Sequence, residues 1–315
     1  MSAGPLASGS VSLRLYAHDG PAPEQLEEMR GLARRAVEVG YDGVMVSEHH
    51  AGFPGYLPNP QQMAGYLLAA MPTGWVAPCP LLLPMKPWAL VAEELAWLAA
   101  AFPGRVGAGF AAGALPVDFE LAEVPFDEIG PRFKQALPLV VAALRGQASG
   151  PLADDRAIAA CAEHPVPMVA AAQSTAAVRR AAGLGLGILY DSLQAVDHVR
   201  VLSEAYDEAG GAGPKILIRR VWIGGPPGEA VRNQLDLYRG YTSSGTMARW
   251  DEGANTVLAD DATEAADRLQ ADLEATGADT VNLRIHVVGL SPAYVRHQLD
   301  HHGELVARLK AMMAD

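Results

Sequence analysis

The residues best suited to proton chemistry stand together at Ser47-Glu48-His49-His50. An imidazole exchanges a proton near neutral pH, and a neighbouring carboxylate can orient the ring and set its tautomer. The apolar run Gly43-Val44-Met45-Val46 leads straight into this cluster, which therefore leaves the end of a buried strand. His49 and Glu48 are the candidates for catalysis. Metal binding is the competing use of such side chains. Adjacent strand residues point to opposite faces, which separates His49 from His50, and no second cluster completes a shell. His297 and His301, four apart, read as a surface pair on the last helix. No metal site is expected.

Three other segments end strands with chemistry in reach. Gly104-Arg105-Val106-Gly107-Ala108-Gly109-Phe110-Ala111-Ala112-Gly113 offers small residues that let a flat ring or a phosphate approach the backbone. It lacks the G-x-G-x-x-G spacing of a dinucleotide fingerprint. Gln173-Ser174-Thr175 precedes a helix whose N-terminus can cap itself or hold an anion. Tyr190-Asp191-Ser192 follows another strand. Arg284 and His286 share side-chain parity on a late strand, where a buried cation needs a partner. They either face a pocket, or Arg284 bridges structural carboxylates.

These segments need a scaffold that gathers strand ends. Eight β-like runs (11–17, 42–47, 74–83, 105–110, 166–172, 186–190, 215–224 and 280–289) alternate with helix-period stretches. One such face carries Phe133, Ala136, Leu137, Val140, Val141 and Leu144. Continuous apolar strands separated by helices mean a parallel sheet covered on both sides. Eight units predict an α/β protein, a (β/α)8 TIM barrel, as one domain over residues 1–315 with 1–10 a flexible tail. Loop insertions are expected after strands 4 and 7, at 111–125 and 241–261, where they serve the active-site mouth.

Composition agrees. Half of the 315 residues are apolar and 19% are charged, enough for a large core. A net charge of −12 disfavours nucleic acid and anionic membrane surfaces, and leaves a small-molecule substrate as the expected partner. Only Cys79 and Cys161 are present, and no signal peptide or membrane span is evident, so a soluble cytoplasmic protein is expected. Strongly apolar stretches at 63–71 and 88–102 exceed what one barrel wall needs and suggest a homodimer face.

The ordered set of motifs resembles the bacterial luciferase-like family of flavin- and F420-dependent oxidoreductases. It runs from Gly40-Tyr41-Asp42 through His50, then Pro84 and Ala92-Glu93-Glu94-Leu95-Ala96-Trp97-Leu98. Pro103 to Gly109, Pro125-Phe126, Arg132-Phe133, Val169 to Ser174 and Asn282-Leu283-Arg284 follow. The resemblance implies a barrel, usually dimeric, with the cofactor ring at the strand C-termini. It gives His49 a catalytic role and places cofactor contacts at His50, Pro84, Gly109, Ala112, Gly113, Gln173, Ser174, Thr175 and Tyr190, with Arg284 and His286 in the substrate pocket. The cofactor it implies is reduced FMN from a separate flavin reductase, or F420. The Ala-Ala-Gln-Ser turn in place of a Gly-rich one, together with the acidic charge, favours FMN, because the F420 tail is anionic. The expected activity is FMN-dependent monooxygenation of a small organic substrate. The alternatives are F420-dependent hydride transfer, a barrel hydrolase pairing Glu48 with Asp191 or Glu120, and a flavin-binding protein without turnover.

Overall fold

The computed structural model describes residues 3–225, 227–240, 247–251 and 255–314. Its strands are β1 (Val11–Leu15), β2 (Gly43–Val46), β3 (Trp75–Pro78), β4 (Leu81–Leu82), β5 (Ala108–Ala111), β6 (Met168–Ala171), β7 (Gly187–Leu189), β8 (Lys215–Ile223), β9 (Thr256–Ala259) and β10 (Thr280–Arg284). The order is β3-β2-β1-β10-β8-β7-β6-β5-β4, with every neighbour parallel. β3 pairs with β2 and β4 pairs with β5, so the two short strands fill one barrel position. A bridge from Val76 to Val106 closes the ring. The eight positions are thus β1, β2, β3/β4, β5, β6, β7, β8 and β10. Position four is β5 and position seven is β8.

Helices alternate with them: α1 (Ala22–Glu38), α2 (Pro60–Ala70), α3 (Trp88–Ala101), α4 (Pro116–Leu121), α5 (Ile129–Ala143), α6 (Arg156–Ala160), α7 (Thr175–Gly183), α8 (Val196–Glu208), α9 (Gly228–Arg239), α10 (Ala262–Thr276) and α11 (Pro292–Ala314). The periodicity located their buried faces. α5 buries Phe133, Ala136, Leu137, Val140 and Val141, and α11 buries Val295, Leu299, His302, Val306 and Leu309.

Strand parity sorts the side chains. Val11, Leu13, Val44, Ile188, Val281 and Leu283 face the helices, within the large outer core. The lumen is filled by Met45, Trp75, Ala77, Cys79, Val169, Leu189, Ile216 and Ile218. Glycine makes room at one tight point: a Cβ on Gly109 would stand 2.1 Å from Cys79 Sγ.

Three local expectations change. The single run 74–83 is broken at Cys79-Pro80, because proline has no N–H to give the ladder. The segment 241–261, read as loop, contains β9, which pairs with the C-terminal half of β8 and stands outside the ring; residues 241–246 and 252–254 lie outside the described residues. The ten N-terminal residues were expected to be a flexible tail, but from Ala3 onward they are packed. Leu6 is 1% exposed and joins the lumen cluster, sealing it at Gly107. The Asp42 carboxylate accepts the Ala3 and Val11 N–H groups, each at 2.9 Å, and anchors the segment. One apolar residue among small ones has no periodicity to reveal it.

Leu6→Ala should therefore behave as a core truncation and destabilise the chain by about 2–5 kcal/mol in equilibrium urea denaturation, where a true tail residue would register within ~0.5 kcal/mol. A second outcome concerns acid. His302 on α11 is buried against the Tyr41 hydroxyl at 2.6 Å, and burial, with a smaller contribution from His301, pushes its pKa down to about 3. The folded ring therefore stays neutral while the unfolded ring, near 6.5, takes up a proton. Stability should fall as pH drops from about 6.5 towards 3, by up to about 1.4 kcal/mol per pH unit from this group. His302→Gln should flatten that limb in denaturation curves measured against pH.

Candidate active site

The cluster Ser47-Glu48-His49-His50 leaves β2 at the C-terminal rim, where its backbone is held on both sides. Glu48 N–H donates to the Pro80 carbonyl and His49 N–H to the Leu57 carbonyl, each at 3.2 Å. The loop 51–57 folds back over the rim, and Ala17 N–H reaches the Gly55 carbonyl at 3.0 Å. The rings of Phe53 and Tyr56 thereby come 4.9 and 4.5 Å from that of His49.

The carboxylate that serves His49 comes from elsewhere. Asp118 on α4, wholly buried, meets His49 Nδ1 at 2.8 Å and accepts the His50 backbone N–H at 2.8 Å. With Asp118 Oδ2 as the acceptor, Nδ1 keeps its hydrogen and donates it, so Nε2 is the nitrogen left to accept or deliver a proton. The imidazole is 18% exposed, which lets a ligand touch it. Glu48, expected to assist His49, instead accepts the Leu82 N–H at 2.6 Å and faces His50 Nε2 at 3.3 Å. Its carboxylate braces β4 and His50. Alternation explains the exchange: residues 48 and 49 point apart, so the partner of His49 had to come from another loop.

The inner face continues as a ring of aromatic and cationic groups. Tyr56 stands edge-on to Tyr16 at 5.0 Å, and the Arg284 guanidinium lies 4.0 Å from the Tyr16 ring centre. Arg284 Nε donates to the His286 carbonyl at 2.9 Å and its NH1 to the Tyr238 hydroxyl at 3.0 Å. Tyr238, carried in by α9, also reaches the Tyr56 hydroxyl at 3.0 Å. Among the described residues Arg284 bridges no carboxylate, which speaks against the second of its two sequence readings. His286 lies against Tyr16, and burial, then the charges of Arg284 and His18, push its pKa down to about 3, so the ring is neutral. Arg220 is the direct register partner of Arg284 on β8 and is 1% exposed. Burial and the adjacent Arg284 charge lower its pKa.

Also in the lumen, Arg14 forms a crossbar. It donates to Asn282 Oδ1 at 2.6 Å, to the Cys79 carbonyl at 2.9 Å and to the Ser47 hydroxyl. Ser47 in turn donates to the Cys79 carbonyl at 3.1 Å. Arg14 thereby ties β1, β2, β10 and the β3/β4 break.

The remaining expected cofactor contacts separate into groups. Ser174 caps α7 by accepting the Ala177 N–H, and Thr175 opens that helix. Gln173 is committed to structure: its amide donates to the Leu189 carbonyl at 3.4 Å and accepts the Asp191 N–H at 3.1 Å. Ala112 stands half-buried at the rim beyond β5. Gly113, at φ +91°, is pressed against Phe119, and Pro84 lines a separate cavity of about 380 Å³ with Lys86 and Arg132. Tyr190 turns outward instead, its hydroxyl 2.5 Å from Ser203 on α8. Glu120, one hydrolase candidate, is exposed, and both Glu48 oxygens are engaged. His297 and His301 form an exposed pair on α11, 3.2 Å apart. Among the described residues no three His, Cys, Asp or Glu side chains converge as a metal shell requires.

Sequence reasoning missed Asp118, Tyr16, Tyr56, Tyr238 and Arg220. Arg220 had a usable signal, because it continues the inward series Ile216 and Ile218. Asp118 and Tyr238 had none, since both arrive on helices inside segments whose course depends on tertiary packing.

The fold has many solved relatives. A monooxygenase from Streptomyces bottropensis superposes with a TM-score of 0.76 at 20% identity, over 94% of this chain and 98% of its own. The oxygenating constituent of 3,6-diketocamphane monooxygenase from the CAM plasmid of Pseudomonas putida, in complex with FMN, gives 0.76 at 18% identity over 95% and 98%. An F420-dependent secondary alcohol dehydrogenase with an F420-acetone adduct gives 0.70 at 17% identity over 96% and 99%. Among curated sequences, an uncharacterized protein of Mycobacterium tuberculosis strain H37Rv is 34% identical over 109 residues, 32% of this chain and 36% of that protein. That match thus spans about a third of the relative's length. The luciferase-like monooxygenase family matches residues 8–308, so with its parallel barrel this chain belongs to that family of oxidoreductases.

Proposed function

We propose that the chain is an FMN-dependent monooxygenase acting on a small organic substrate, with reduced FMN delivered by a separate reductase. The observation that carries this reading is His49, partly exposed at the barrel mouth with Nδ1 held by the buried Asp118. When bound, reduced FMN supplies the electrons that activate O2. His49 Nε2 then holds or delivers a proton at the reacting edge, and Asp118 keeps the ring turned and stabilises its charged form.

The residues fit such a cofactor. Ser174 and Thr175 suit its phosphate, because Ser174 satisfies only one of the opening N–H groups of α7. His50 and Ala112 would border the ring, while Gly109 and Gly113 pack closely on Cys79 and Phe119. Phe53, Tyr56 and Tyr238 exclude water from the mouth. The Pro84 cavity bears on the choice against F420. Its Lys86 and Arg132 are ion-paired with Glu94 and Glu128, at 3.7 and 2.7 Å, which leaves little free charge for a long anionic tail. We also propose a cytoplasmic homodimer. α3 exposes Leu90 at 51% and Trp97 at 56%, one face seven residues apart beside Tyr66 of α2. No helix among the described residues is long and apolar enough to cross a membrane.

Fluorescence titration should give FMN binding tighter than F420 binding; tight F420 binding without FMN binding would replace monooxygenation by hydride transfer. In stopped-flow mixing with aerated buffer, bound reduced FMN should reoxidise with kinetics unlike those of free FMN. His49→Ala should change that rate by about 10-fold or more and Asp118→Asn by less, with FMN affinity held within ~3-fold. An unaltered rate in His49→Ala would leave a flavin binder without turnover. Sedimentation should return twice the chain mass, and Trp97→Glu should return the monomer.

A further inference from the structure

Arg220 and Arg284 are an unusual pair to find inside a closed barrel. They face each other across β8 and β10 as direct register partners, and each is 1% exposed. Neither forms an ion pair with a carboxylate among the described residues. Arg220 makes a single long hydrogen bond, NH1 to the Ser192 carbonyl at 3.4 Å, and its Nε and NH2 have no partner. Arg284 spends Nε on the His286 carbonyl and NH1 on the Tyr238 hydroxyl, and its NH2 is likewise unpartnered. Beside them both ring nitrogens of His286, 4% exposed, lack partners.

Two like charges taken out of water side by side are costly, and burying one unpaired guanidinium already costs several kcal/mol. Arg14, on the neighbouring strand β1, shows what burial with protein acceptors looks like here, with bonds to Asn282, Ser47 and the Cys79 carbonyl. The mouth pair is built differently: three of its N–H-bearing nitrogens have no acceptor among the described residues. Tyr16 and Tyr238 pack against Arg284, Tyr56 bonds Tyr238, and Tyr56 connects this group to His49 at 4.5 Å between ring centres.

We infer that Arg220 and Arg284 form an anion seat for the substrate, which carries a carboxylate on a small aromatic or aliphatic body. A planar carboxylate accepts two hydrogen bonds from one guanidinium and a third from its neighbour, the geometry that Arg recognises best. The aromatic wall takes the apolar body and directs it towards His49. This deepens the proposed function, since it names the substrate class of that site.

The test uses the full purified chain, with and without saturating FMN, and benzoate, hexanoate and benzamide as probes. Calorimetric titration should show benzoate and hexanoate binding at least tenfold more tightly than benzamide, which is isosteric with benzoate but neutral. Arg220→Gln should abolish that preference, and Arg220→Lys should retain part of it, while FMN affinity stays as in the parent chain. Equal binding of benzoate and benzamide overturns the proposal, and this comparison needs no variant to fold. Unchanged benzoate binding in Arg220→Gln overturns it as well. Loss of FMN affinity in Arg220→Gln with riboflavin affinity unaltered assigns the pair to the cofactor phosphate and also overturns it. Because the carboxylate titration runs without cofactor, its failure is distinct from a failure to bind FMN.

Discussion

A closed parallel barrel has no water in its lumen, so a charge placed there must be answered by something other than solvent. Three arginines occupy this lumen: Arg14, Arg220 and Arg284. Arg14 is answered wholly by protein, and in being so it fixes the relative heights of four barrel positions. It joins the apolar plug, through its register partner Met45, to the polar groups Ser47 and Asn282. The mouth opens above the layer formed by that plug.

Above that layer the site is assembled by loops that converge from different directions. His49 is presented by β2, oriented by Asp118 from the helix after β5, and walled by the 51–57 loop. The roof comes from α9 through Tyr238. A single buried carboxylate holds the imidazole by its side chain and the next residue by its backbone N–H, so two loops far apart in sequence move as one unit. Fixing Nδ1 in this way is what makes Nε2 the working atom.

Much of this was legible from residue order. Period-two and period-3.6 patterns gave eight strands, the helix faces and the barrel, because alternation and amphipathicity are local consequences of burial. The strand ends were legible too, which is why His49, Ala112, Ser174, Arg284 and His286 could be named as candidates from residue order. Tyr190 failed for a local reason. It lies one residue beyond the inward Leu189, and β7 is too short for its parity to be read from the sequence. Asp118, Tyr56 and Tyr238 failed for a global reason: Asp118 and Tyr56 lie in short segments without a readable period, and the amphipathic helix of Tyr238 does not reveal what its buried face packs against.

The sequence by itself determined the barrel, its mouth and the residue that can move a proton there. Tertiary structure alone decided which carboxylate serves that residue, giving Asp118 to His49 and Glu48 to His50. It also turned an N-terminal stretch into a plug through Leu6, and set Arg220 directly beside Arg284. The reason is common to all three. Hydrophobic periodicity encodes whether a residue is inside, whereas the partner it meets there depends on sheet register and loop paths, which are settled only when the ring closes.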